Sequence, residues 1–76
     1  MCIEDVRKGL KSIDKEIQRL REGRWLIEKA WGHFKMIHRE DIADMLNIAS
    51  RIVEKELERL ERARGILEEE LRRLEG

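Results

Sequence analysis

At 76 residues, the chain forms one domain, residues 1–76, small enough that a single core is marginal without a disulfide, a metal or a second chain. Its one cysteine, Cys2, excludes an internal disulfide, and a thiol with no apolar leader around it predicts a reducing, cytoplasmic setting. Lys plus Arg equals Asp plus Glu at 17 each with the signs interleaved, which argues against a nucleic-acid partner; no apolar run exceeds three residues, as in Trp25-Leu26-Ile27, against the ~20 that cross a bilayer.

From Ile3 the apolar residues fall at Ile3, Val6, Leu10, Ile13, Ile17, Leu20, Ile27, Trp31 and Phe34, in alternating steps of three and four. This is a heptad seam with one member replaced, by Arg24. The register resumes without a slip after Gly23, so the spacing predicts one helix from about residue 3 to about 36; a break at Gly23, giving three helices, is the rival arrangement. The segment "MIHRED" interrupts the pattern, and Asp41 or the polar residues before it can satisfy the first free N–H groups of a new helix. That second helix, about 40–75, carries a stripe at Ile42, Leu46, Ala49, Val53, Leu57, Leu60, Arg64, Leu67, Leu71 and Leu74.

Folded back on each other, the two helices pair Leu20 with Leu57, Leu10 with Leu67 and Ile3 with Leu74. The expected fold is all-α, a long antiparallel helical hairpin. Apolar residues outside the seam near the turn, Trp25, Leu26, Ala30, Met45, Ile48 and Ile52, have no place in a two-helix core. They predict a homodimer, two hairpins forming a four-helix bundle.

Arg24 stands where an unpaired guanidinium costs several kcal/mol, of order 3 to 5. An anion must meet it, either a glutamate of the other helix, with Glu54 and Glu56 in reach, or a bound carboxylate matched to its planar fork. Arg7 and Lys35 each adjoin a seam residue and can turn inward or to solvent. His33 and His38, five apart, share no helix face, so no metal set forms. Ser12 and Ser50 lack the neighbours of a nucleophile, and Gly9, Gly23 and Gly32 are too isolated for a phosphate loop.

Together these positions form a pattern. The segment "VRKGLKSIDKEIQRLREGRWLIEKAWGHFK", residues 6–35, resembles the long first helix of the all-helical class of chorismate mutases. The shared elements are Arg7, the Ile13-Asp14 pair, Arg24 and the Gly32-x-x-Lys35 motif, followed by Arg39-Glu40 at the start of the next helix. The resemblance covers residues 6–40.

It implies an isomerase that turns chorismate into prephenate with no cofactor and no covalent intermediate. It further implies that Arg24 clamps one substrate carboxylate, that Arg7 of a second subunit clamps the other, and that Lys35 hydrogen-bonds the ether oxygen. Arg39 and Glu40 are weaker substrate-binding candidates, and Asp14 would orient a cation. The family's last helix adds a glutamine or glutamate, for which Asn47, Ser50, Arg51 and Glu54 are the nearest counterparts. Two other functions fit the same residues: a non-catalytic homodimeric bundle, natural or designed, and an isochorismate pyruvate lyase-like enzyme using nearly the same arginines.

Overall fold

The computed structural model describes residues 2–76. Helix α1 (Ile3–Met36) and helix α2 (Glu40–Glu75) form an antiparallel hairpin 56 Å long and 14 Å in each other direction. α1 runs unbroken through Gly23 and Gly32, so the described residues form two helices, not three. Each glycine costs about 1 kcal/mol of helix propensity, but each is isolated in a proline-free segment of strong helix formers. Glu4 and Asp5 in the first turn of α1, and His33 and Lys35 in its last, complement the helix dipole.

The turn is three residues, Ile37 to Arg39. His38 adopts the left-handed conformation, φ 61°, while the Arg39 N–H donates to the Phe34 carbonyl at 2.9 Å and the His38 N–H to that of Lys35 at 3.1 Å. This double closure is a Schellman stop made without glycine, at a cost of roughly 1 kcal/mol for the side chain. Asp41 is not the cap of α2. Arg39 takes that position without a side-chain hydrogen bond to the helix, and its guanidinium donates to Asp41 through Nε and Nη2, both at 3.2 Å. The Arg39 hydrogen bond lowers the Asp41 carboxyl below the usual carboxylate range, and backbone N–H groups of the first turn reinforce it.

Val6 and Ile17 of α1 and Leu57 and Ala43 of α2 are buried between the helices at successive levels from the open end to the turn, and most of the remaining seam is half-buried. Leu67 lies against Gly9, Arg64 pairs with Asp14 at 2.7 Å and Arg24 reaches Glu54 at 3.6 Å, which is the expected register. The stripe differs from expectation in three places. Ala43, just beyond Ile42, is the fully buried member near the turn; Arg64 turns outward to Asp14; Trp31 is 41% exposed. A straight α-helix drifts ~20° per heptad against a 3.5-residue repeat, so stripe positions rotate out of a long two-helix seam.

Heptad letters separate the two sides of the hairpin. With Arg24 and Ser50 at a positions, the e positions of α1 are Arg7, Asp14, Arg21, Glu28 and Lys35, and its g positions are Gly9, Glu16, Gly23 and Ala30. In antiparallel helices e faces e and g faces g. The e flank is therefore charged and bonded across the helices, Arg7 to Glu75 at 2.6 Å and Arg21 to Glu61 at 3.0 Å. The g flank alternates small residues with glutamates, α2 contributing Ala49 and Ala63 and, beside the turn, the larger Ile42. Its glutamates pair only along their own helix, Glu16 with Arg19, Glu56 with Arg59 and Glu70 with Arg73.

Candidate functional site

Arg24 opens onto the charged flank. A groove of about 430 Å³ there is lined by Arg24, Glu28 and Trp31 of α1 and by Leu46, Asn47, Ser50, Arg51 and Glu54 of α2. It continues along the same flank toward the open end of the hairpin, past Arg21, Trp25 and Glu61 and then Asp14 and Arg64.

Two glutamates flank the seam arginine without fully engaging it. Arg24 Nε lies 3.1 Å from Glu28 Oε1, and Nη2 lies 3.6 Å from Glu54 Oε2. The second distance is too long for a hydrogen bond, and the first is poorly directed: Nε is buried with no hydrogen-bond partner. Leaving such a donor unmade costs about 1–3 kcal/mol, more for a charged group. Opposite it the α2 seam is polar, because the step from Leu46 lands on Ser50. Ser50 is half-buried like its neighbour Ala49 and lines the groove, four residues after Leu46 and seven before Leu57.

The other candidate residues are distributed along the molecule. Lys35 pairs with Glu40 at 2.9 Å and stands 5.8 Å from the Trp31 ring, placing it at the turnward edge of the groove. Arg7 lies about 25 Å from Arg24 along α1, held by Glu75; that hydrogen bond and the attraction between the charges raise its pKa. Arg39 is engaged with Asp41, and Asp14 with Arg64. A single chain thus brings together Arg24, Asn47, Ser50, Arg51 and Glu54, with Lys35 at the margin. It does not bring Arg7 or Arg39 to them.

Gly32 has open space where a Cβ would stand. His33 packs edge-on against Phe34 with ring centroids 5.1 Å apart. Among the described residues, no three His, Cys, Asp or Glu side chains gather to hold a metal ion, and no helix is long and apolar enough to cross a membrane. Arg51 and Trp31 are the groove residues whose importance the sequence understated: Arg51 figured only as a stand-in for a glutamine, and Trp31 only as packing.

Comparison with protein-family models, curated proteins and solved structures found no match.

Proposed function

We propose that the Arg24 groove binds a small dicarboxylate and, as the resemblance of residues 6–40 implies, rearranges chorismate to prephenate. The observation that supports this most directly is the seam guanidinium of Arg24, only loosely held by Glu28 and Glu54, lining a groove that also holds Arg51, Asn47 and Ser50. Two guanidinium groups suit two carboxylates, and Arg24 Nη2, no closer than 3.6 Å to Glu54, keeps donors for an oxyanion in the groove. The rearrangement needs no nucleophile. The groove's task is to hold one conformer and oppose the negative charge that grows on the ether oxygen as its C–O bond breaks. Lys35, swinging from Glu40 over Trp31, is the donor for that oxygen.

The test is loss of the near-ultraviolet absorbance of chorismate on incubation with the purified protein. Turnover should fall by about 10²–10³ in Arg24→Ala. A rate equal to the uncatalysed one in the unmodified protein overturns the mutase reading, and product analysis with isochorismate separates the lyase-like alternative. A non-catalytic bundle is the second reading, favoured by one observation: Arg7, Lys35 and Arg39 are already neutralised by carboxylates of their own chain. Calorimetric titration with a dicarboxylate decides between them, since a purely structural bundle releases no heat of binding.

A further inference from the structure

We infer that the small-residue flank is the docking surface for a second copy of this chain, with the two turns at the same end of a four-helix bundle. This inference stands independently of any catalysis.

Area is the first argument. A folded monomer of 9.2 kDa exposes about 4,900 Å², whereas this hairpin exposes 6051 Å². The excess, roughly 1,100 Å², exceeds the ~800 Å² per partner of a standard stable interface. Only four hydrophobic residues are buried among those described, and such pairing would supply most of the core.

The position of the exposed apolar residues supplies the second argument. Leu26, Met45 and Ile52 are 59%, 69% and 64% exposed, and all three occupy c positions, which adjoin g on the helix surface. Between and beside them lie Gly23, Ala30, Ile42 and Ala49. A helix that is apolar at a, d and g has two faces to bury, and a two-helix hairpin satisfies only one. Gly23 has nothing within 4 Å of where its Cβ would stand. Packing inside one chain leaves that glycine without a reason; close approach of another helix supplies one.

The patch is concentrated in the turn half of the flank; in the open half Ile66, 70% exposed, is the apolar residue at a c position, among Glu16, Arg19, Glu56 and Arg59. A two-fold axis along the bundle brings patch onto patch, and it sets each helix antiparallel to both neighbours. The charged flank, with Arg24 and Arg7, then faces outward on both copies. Each groove belongs to one chain, contrary to the shared site that the resemblance implies.

Trp25 and Leu26 make the test specific. They are adjacent and equally exposed, at 57% and 59%, but Trp25 points to the charged flank, where it lines the groove and Lys29 Nζ lies 4.2 Å from its ring centroid. Sedimentation equilibrium should give twice the chain mass for the unmodified protein and for Trp25→Lys. Leu26→Lys should weaken association by at least ~100-fold, because two copies of the lysine enter one interface. Should Leu26→Lys unfold, a melting temperature that rises with protein concentration in the unmodified protein and in Trp25→Lys carries the same information. Spin labels on the exposed Cys2 report orientation: within about 30 Å for turns at one end, about 50 Å for opposed turns. A monomeric unmodified protein, equal loss in the two lysine variants, or the long label distance overturns the proposal.

Discussion

The two flanks of this hairpin are made from the same two helices, yet one is bonded across them and the other is not. On the e flank, arginines and carboxylates of opposite helices meet at Arg7–Glu75, Asp14–Arg64 and Arg21–Glu61. On the g flank, Glu16, Glu56 and Glu70 pair only within their own helix, and glycine and alanine fill the space beside the seam. A side that is complete in one chain spends its charges across the hairpin; a side kept for another chain holds them out of the way. Arg24 is the exception on the charged flank, the one seam cation whose neighbours fail to satisfy it.

Arg24→Leu gives the largest expected effect and probes that exception. If the charged flank carries a ligand site, turnover or dicarboxylate binding falls by about 10² or more. Stability moves the other way, by about 1 kcal/mol in urea melts, because a half-buried leucine completes the apolar seam. Loss of both stability and binding would show instead that Arg24 holds the hairpin together.

Glycine substitutions compare the flanks at about 1 kcal/mol. Gly65→Ala, beside the charged groove with open space at its Cβ, should stabilise by roughly 0.5–1 kcal/mol in thermal unfolding. Gly23→Ala gains the same helix propensity but should lower association at equal helicity, since its methyl enters the proposed interface. Equal gains from both, with unchanged self-association, would erase the distinction between the flanks.

Smaller again are the ion pairs themselves. Arg21→Ala removes a cross-helix bond and should cost about 0.2–1 kcal/mol, while Arg59→Ala, paired only along α2, should cost at most about 0.5. Raising salt to about 1 M, where the Debye length is ~3 Å, should close that gap and leave self-association intact.

The smallest effect lies at the turn, between the flanks. The Asp41 carboxyl, lowered first by the Arg39 hydrogen bond, favours the folded state above the ordinary Asp pKa, and this contribution fades as pH falls through the lowered value. An NMR titration should place its midpoint below that of a free aspartate, and Arg39→Ala should move it upward.

The hairpin itself was legible from the sequence because a three-four apolar rhythm fixes both helices, and resumption of the register after Gly23 fixes the length of the first. The stop at His38 was visible only as lost periodicity, since no glycine marks it. Ala43 and Ser50 were not legible as part of the seam for a different reason. Both are small residues, the first buried and the second half-buried, which an apolar stripe passes over in favour of Ile42 and Ala49. The groove followed from Arg24 in the seam, but Arg51 did not, because its relevance depends on which side of α2 faces the charged flank. That side is fixed by antiparallel pairing and by no local signal.

The short turn also orders the molecule in time. Each contact across the hairpin joins residues whose sequence separation grows steadily with distance from His38, from a few residues beside the turn to 68 at Arg7–Glu75. Closing a longer loop costs more entropy, so assembly that begins at the turn advances by small increments, each contact shortening the loop left to close. The helices should zip from Phe34 and Ala43 outward and unzip from Ile3 and Leu74 inward. Amide exchange should then record a gradient along a single cooperative structure, slowest near the turn and fastest at the open end.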